Sequence, residues 1–348
     1  MIISRTPYRV SFFGGGTDYS VWYREHGGAV LATSIDKYCF LMCRYLPPFF
    51  SHRHRIVYST IELPNAVDDI AHPSVRECLR HCGIHTGIEV QHHGDLPARS
   101  GVGSSSAFTV GLLHALYALK GVMPTRERLA REAMIVEQER IGETVGRQDQ
   151  MMTALGGFRR LEFRQDDSIV SIPIIAPPRR LVELQGHLML MYTGVSRSAS
   201  EIASEQVRTV ADRTSQLRSI HQLVDDATNV LTSGQDIVEF GRLLHEGWQL
   251  KRSLTSRITT DIIDGLYADA RDAGAIGGKL LGAGGGGFFL LFVRPDDQAN
   301  VRKKLARFVH VPMSFTSEGS QIIYYQEPPE IDERYLIDAA QPAHGVPS

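Results

Sequence analysis

The sequence predicts an α+β fold in two domains. Short apolar runs that read as strands are mixed with long helical patterns, without the regular βαβ alternation of a parallel sheet. The chain has 348 residues, enough for two domains of ordinary size. A proline pair, Pro177-Pro178, is a candidate boundary in its middle. The expected units are 1–178, 179–327 and a surface tail over 328–348.

Residues 9–13 read as a strand ending in the sharp turn Gly14-Gly15-Gly16-Thr17-Asp18-Tyr19. Residues 28–35 and 37–45 read as two further strands, 73–82 as a short helix and 87–92 as a strand. A proline-started loop, Leu96-Pro97-Ala98-Arg99-Ser100-Gly101-Val102-Gly103-Ser104-Ser105-Ser106-Ala107, then enters an apolar helix over 108–119. Thr125 is a natural N-cap for a helix to 141, with Glu127 in its first turn suiting the dipole. Gly142 and Gly146 interrupt the pattern before a short helix over 147–155. A hairpin follows at 158–163 and 168–174. The second half reads as a strand over 187–192, helices over 198–232, 236–254 and 261–273, and a glycine-rich loop over 275–287. A strand at 288–293, a helix at 296–308 and a last strand at 321–325 complete it.

Charge and composition narrow the function. Net charge is −2, with 43% hydrophobic and 22% charged residues. Nucleic-acid binding and a polybasic membrane contact are therefore not favoured. No apolar run reaches the 18 residues of a membrane span, and the start lacks a signal-peptide layout. The expected location is the cytoplasm. Cys39, Cys43, Cys78 and Cys82 are spaced too loosely for a usual structural zinc site. They are expected to be reduced and packed.

The serine loop has the makings of an anion site. Gly101 and Gly103 allow close backbone approach, and hydroxyls and free N–H groups gather where a helix begins. It is not a Walker A loop, which needs a lysine before its Ser/Thr. The second loop, Gly282-Ala283-Gly284-Gly285-Gly286-Gly287, fits G-x-G-x-x-G formally but enters a strand, whereas a dinucleotide fingerprint opens a helix. No G-x-S-x-G nucleophile elbow occurs. Two carboxylates stand out between the loops: Glu137 within a helix, and Asp149 in Gly-Arg-Gln-Asp-Gln before apolar Met151-Met152. A carboxylate in an apolar element needs a partner or a function, because burying it alone is costly. Gly142 and Gly146 offer the break that folds Asp149 back toward Glu137.

Three separated stretches, in order, resemble the GHMP kinases, the family of galactokinase, homoserine kinase and mevalonate kinase. They are Thr6 to Tyr19 with its Gly-Gly-Gly-Thr-Asp turn, Pro97 to Ala107, similar to P-x-x-x-G-L-G-S-S-A-A, and Lys279 to Gly287, similar to K-x-x-G-A-G-x-G-G. The resemblance spans about residues 1–325. It implies the GHMP kinase fold, with an N-terminal domain like ribosomal protein S5 domain 2 and a ferredoxin-like C-terminal domain.

The resemblance also implies ATP at Gly101, Val102, Gly103, Ser104, Ser105 and Ser106. Mg²⁺ is implied at Ser105 and Glu137. Asp149 matches the catalytic aspartate, Arg9 the arginine beside the reacting hydroxyl and Asp18 a sugar-binding aspartate. Gly14, Gly15, Gly16, Thr17, Gly284 and Gly285 fall in the implied substrate-binding stretches. Galactokinase has Glu-His where this chain has Gly15-Gly16, so the chain is more similar to the heptose-phosphate kinase branch, and more distantly to fucokinase. That branch phosphorylates an anomeric sugar hydroxyl to give a 1,7-bisphosphate for nucleotide-activated heptose and surface polysaccharide. A 7-phosphate would need a cationic pocket, for which Arg197, Lys251 and Arg147 are candidates. The implied partners are ATP and a small sugar phosphate, with a homodimer left open. The competing readings are another sugar 1-kinase of the family and a catalytically silent sugar sensor.

Overall fold

The computed structural model describes residues 1–194, 203–205, 207–208, 213–255 and 257–327. In chain order the elements are β1 (Ile2–Phe13), α1 (Ser20–His26), β2 (Gly28–Tyr45), β3 (Arg55–Val57), β4 (Ile61–Glu62), α2 (Pro73–Cys82), β5 (Ile88–Gly94), α3 (Ser104–Leu119), α4 (Arg126–Met134), α5 (Gln148–Leu155), β6 (Phe158–Phe163), β7 (Ile169–Pro173) and α6 (Pro178–Gly186). They continue as β8 (Leu188–Tyr192), α7 (Thr214–Thr232), α8 (Val238–Arg252), α9 (Asp261–Asp272), β9 (Ala275–Leu280), β10 (Phe288–Val293), α10 (Gln298–Lys304), β11 (Val309–Val311), β12 (Phe315–Thr316) and β13 (Gln321–Tyr325).

The first sheet is organised around β2, expected as two strands and found as one of 18 residues. The polar Asp36-Lys37 pair does not break it, because the Asp36 N–H is taken by the Ser314 carbonyl at 2.9 Å. One half of β2 pairs with β6 and the other with β5, while β1 runs along its opposite edge. Helix α3 crosses β1 and β2 and buries almost its whole surface, as a helix apolar all round must. Ser4 donates to the Gly111 carbonyl at 2.8 Å. A Cβ at Gly111 would meet the Thr6 hydroxyl at 2.8 Å, so glycine lets α3 lie directly on β1. That seat aims the N-terminus of α3, with its serines, at the C-terminal end of β1.

The second sheet has the order β11-β8-β10-β9, all antiparallel. Its strands, numbered by sequence, run 4-1-3-2, the split βαβ arrangement of a ferredoxin-like unit. The glycine-rich stretch expected from 275 is partly strand: 275–280 is β9, and the loop proper is 281–287. Every residue of β10 is buried. Phe240 on α8 joins the two cores, with its ring centroid 5.3 Å from Phe12, 5.1 Å from Phe13 and 6.5 Å from Phe292.

The proline pair at 177–178 opens α6 instead of lying in a linker, since proline suits the first helical turn. The chain also crosses back: β12 pairs with β2, and β13 with β1. A cut at 178/179 therefore leaves two strands of the first sheet in the later half. The four cysteines are free and buried. Among the described residues no helix is long and apolar enough to cross a membrane. The expected tail over 328–348, Arg197, and the start of the helix expected from 198 lie outside the described residues.

Candidate active site

The end of β1, the serine loop, the start of α5 and the second glycine loop close around one cleft. Arg9 reaches into it from β1. Its guanidinium grips Asp149 in a two-point fork, Nε to Oδ1 and Nη2 to Oδ2, both at 2.8 Å. Its third arm, Nη1, donates to the Gly101 carbonyl at 2.6 Å. Arg9 side-chain exposure is 4%, whereas Asp149 keeps 25%. The arginine is thus a fixed support and the carboxylate is the accessible member. A carboxylate offers about four lone-pair directions, and the fork uses two.

The serine loop is shaped by backbone geometry. Gly103, at φ 75°, precedes α3; a Cβ there would come within 3.1 Å of the Arg9 side chain. The two glycine loops lie backbone on backbone. A Cβ on Gly101 would sit 2.5 Å from the Leu281 carbonyl oxygen, and one on Gly282 would sit 2.6 Å from the Gly101 Cα. Phe288 N–H donates to the Ser100 carbonyl at 3.0 Å. The second loop therefore acts as the wall that holds the first in shape.

Glu137 sits on a π-helical segment, Ile135–Ile141, that continues α4. Thr125 caps α4 as expected, accepting from Arg128 N–H at 3.2 Å. Such wide turns occur frequently at functional sites. This one ends at Gly142, and the chain doubles back so that Gln150 of α5 donates to Glu137 Oε2. The chain thus turns back at the two glycines, but Gln150 and not the expected Asp149 meets Glu137, because Asp149 is taken by Arg9. Ser106 Oγ also donates to Oε2, at 2.9 Å, while Oε1 has no hydrogen-bond partner among the described residues. Glu137 is 1% exposed, and its burial pushes the carboxyl up to about 7 against the hydrogen bonds it accepts.

The expected residues do not all reach the cleft. Gly101, Gly103, Ser104, Ser105, Ser106, Gly15, Gly16, Asp18, Lys251, Arg9 and Asp149 line it. Ser105, expected beside Glu137, is exposed, and Ser106 makes that contact instead. Val102 is wholly buried and contributes its carbonyl to Arg9 N–H at 3.0 Å. Gly14 packs against Ala29 and Val224, and the Thr17 hydroxyl donates to the Gly14 and Ala29 carbonyls. These two build the turn that presents Gly15 and Gly16. Asp18 is 1% exposed. It accepts from Gly16 N–H at 3.0 Å and Gln148 Nε2 at 2.9 Å, so it ties the turn to the start of α5.

Arg147 turns out of the cleft, over the Tyr23 ring at 5.5 Å and toward Asp167. Gly284 and Gly285 lie on Ile258, away from the cleft wall; Gly285 N–H donates to the Ile258 carbonyl at 2.9 Å.

Lys251, from the end of α8, donates to the carbonyls of Leu280 at 3.0 Å and Gly282 at 2.5 Å. Burial pushes its amine down to about 7, Arg9 adds to that, and Asp18 opposes it. Lys279, Gln148, Gln150 and Tyr19 were not singled out from sequence. Lys279 donates to the Phe12 carbonyl at 2.8 Å, clamping β9 to β1. Its signal was a lone lysine in an otherwise glycine and apolar strand. The glutamines' signal was their places beside Asp149.

A fixed arginine–carboxylate pair thus lies against the serine-and-glycine loop within one cleft. Two family models match the chain, GHMP kinases N terminal domain over residues 69–157 and GHMP kinases C terminal over residues 225–311. The chain belongs to the GHMP kinase family. This GHMP kinase is 27% identical over 332 residues to D-glycero-alpha-D-manno-heptose 7-phosphate kinase of Campylobacter jejuni, covering 91% of this chain and 97% of that one. It is 30% identical over 349 residues to mevalonate kinase of Pyrococcus abyssi, covering 92% and 98%. A crystal structure described as a D-glycero-D-manno-heptose 1-phosphate kinase from Bacteroides thetaiotaomicron superimposes with a TM-score of 0.76 at 23% identity, over 94% of this chain and all of that one. GHMP kinases take ATP as phosphate donor, and this chain is a phosphotransferase of that kind.

Proposed function

We propose that this GHMP kinase transfers the terminal phosphoryl of ATP to the anomeric hydroxyl of D-glycero-D-manno-heptose 7-phosphate, giving the 1,7-bisphosphate. The observation that carries the chemistry is the Arg9–Asp149 fork lying against the serine loop within one cleft. Support for the sugar comes from the full-length likeness to the Campylobacter enzyme and from the small Gly15-Gly16 turn beside Asp18.

Phosphoryl transfer depends on positioning and on neutralising charge. Asp149 accepts the proton as the sugar oxygen forms its bond to phosphorus and ADP leaves. Arg9 holds the carboxylate in place and stabilises the negative charge that develops on that oxygen. The N–H groups of residues 104–106 face the donor phosphates at the start of α3. Asp18, with Gly15 and Gly16, shapes the sugar's side of the cleft.

Glu137 Oε1, unpartnered among the described residues and beside the Ser106 hydroxyl, is a hard oxygen donor of the kind Mg²⁺ takes. Glu137 with Ser105 or Ser106 would hold that ion, which when bound neutralises charge on the donor phosphates. Of the three candidates for the 7-phosphate, Lys251 is the one among the described residues that lines the cleft.

A coupled assay of ADP release across heptose 7-phosphate, heptose 1-phosphate, free heptose, L-fucose and galactose tests this reading. Heptose 7-phosphate is expected to give the highest kcat/KM. Turnover of an unphosphorylated sugar at equal or greater kcat/KM would replace it with the broader sugar 1-kinase reading.

A further inference from the structure

The serine loop has no lysine of its own, and most of the cleft's positive charge is already engaged. Arg9 is held by Asp149 and the Gly101 carbonyl. Lys251 is held by two carbonyls of the second glycine loop, and Lys279 by the Phe12 carbonyl. Among the described residues, the remaining cation on the cleft wall is Arg99, at the turn just ahead of Ser100.

Arg99 is unusual in its backbone. It stands at φ 56°, in the left-handed region, and Asp167 is the only other non-glycine residue there among the described residues. Most L-residues avoid that region, and glycine enters it freely. An arginine held there despite the strain points to a use for its side chain. The conformation is pinned: Arg99 N–H donates to Ser104 Oγ at 3.0 Å, which ties the turn to the first residue of α3. The side chain is exposed, and its guanidinium makes no hydrogen bond or ion pair among the described residues. The groups that feel its charge are Glu143 and His72.

We infer that Arg99 is a phosphate-binding residue for the nucleotide, a free guanidinium beside the serine loop that closes on the outermost phosphate of the triphosphate. The inference rests on the reading of this cleft as the nucleotide site. Arginine suits the task because its planar fork meets two phosphate oxygens at once. Arg99 lines the cleft, and with no hydrogen-bond or ion-pair partner among the described residues its fork is available. Arg9, by contrast, is committed to Asp149.

The test uses the full chain with Mg²⁺ and compares binding of ADP with that of the non-hydrolysable imido analogue of ATP by titration calorimetry. Arg99→Gln removes the charge and keeps a non-glycine residue at positive φ. Arg99→Gly removes the charge and relieves the strain. Both variants are expected to bind the ATP analogue about 10- to 100-fold more weakly, the range of a lost charge-assisted contact, with a smaller change for ADP. The ligand-free melting temperature is expected to be unchanged for Arg99→Gln and equal or higher for Arg99→Gly. Arg99→Lys is expected to recover part of the affinity.

Parent-like affinity of both variants for the analogue would overturn the assignment. So would a loss confined to the KM for the sugar phosphate. Failure of the parent itself to bind either nucleotide would instead sink the reading of the cleft.

Discussion

At the scale of single residues, the account turns on which carboxylate is accessible and which is committed. Asp18, Glu137 and Asp149 all gather at the end of β1. Asp18 is used up by Gly16 and Gln148, and Glu137 is buried behind Ser106. Asp149 alone of the three combines a fixed orientation with part of its surface open to the cleft. Asp149→Asn is therefore expected to keep nucleotide affinity in an equilibrium titration while kcat falls about 10²- to 10⁴-fold. Near-parental kcat in that variant would remove Asp149 from the chemistry.

Lys251 gives a second residue-scale prediction. Its amine is lowered to about 7 in the fold, from an ordinary value of 10.5. Below pH 7 it is protonated in both folded and unfolded chains, so the buried charge opposes folding in full. Between pH 7 and 10.5 the folded chain binds fewer protons than the unfolded chain, so its stability rises with pH. Lys251→Met removes that dependence. The stability of the variant relative to the parent should thus be greatest near pH 6.5 and shrink toward pH 9.5, by at most about 1.4 kcal/mol per pH unit. Urea unfolding of both proteins at the two pH values measures it, and a constant difference would contradict the burial of the charge.

At the scale of elements, the motifs were legible because glycine, serine and proline punctuate the chain where the backbone must turn. The last five residues of β1, the serine loop, the Thr125 cap and the hairpin β6–β7 could all be read that way, whereas the first half of β1, from Ile2, could not. What could not be read was who touches whom. Ser105 and Ser106 are neighbours with the same chemistry, and only the rotation of α3 on β1 decides that Ser106 faces Glu137. Arg147 and Gln148 are likewise adjacent, yet one turns to Tyr23 and the other to Asp18. The short strands β3, β4, β11 and β12 carry too few residues for a period to show.

The second glycine loop was legible as a motif, but its task was not. It reads as a ligand loop, and in the fold Gly282, Gly284 and Gly287 are also needed because another backbone lies against each of them. Gly282→Ala would force a Cβ at φ 70° to within 2.6 Å of the Gly101 Cα. The expected cost is roughly 1–3 kcal/mol, seen as a lower melting temperature together with weaker nucleotide binding. A melting temperature and affinity equal to the parent's would show that the loops do not support each other.

At the scale of the whole molecule, the two sheets are interlocked by chain path and by packing. Strands β12 and β13 return to the first sheet after the second is complete, and the Phe240 ring is shared by both cores. Pro177-Pro178 reads as a candidate boundary in the sequence, and nothing there marks the return, because a strand's partner is not written in its own residues. Interlocking predicts that the molecule unfolds as one unit. Trp22 lies in the first unit and Trp248 in the second, both fully buried, so variants keeping one tryptophan each report on a single unit. Phe240→Ala is expected to cost about 3–5 kcal/mol and to move both fluorescence transitions together. A shift of one transition alone would mean that the units unfold independently.

The cleft depends on that interlocking, since β1 and the serine loop come from one unit and Lys251 and the second glycine loop from the other. On the proposed reading, this composite cleft phosphorylates the anomeric hydroxyl of a heptose already phosphorylated at its far end. Phosphorus NMR of the product formed from heptose 7-phosphate, ATP and Mg²⁺ tests it most directly. The expected result is a new phosphate resonance coupled to the anomeric proton, beside an unchanged 7-phosphate, appearing in step with ADP. A new phosphate at any other carbon, or ADP formed while the heptose 7-phosphate gains no second phosphate, would contradict the proposal.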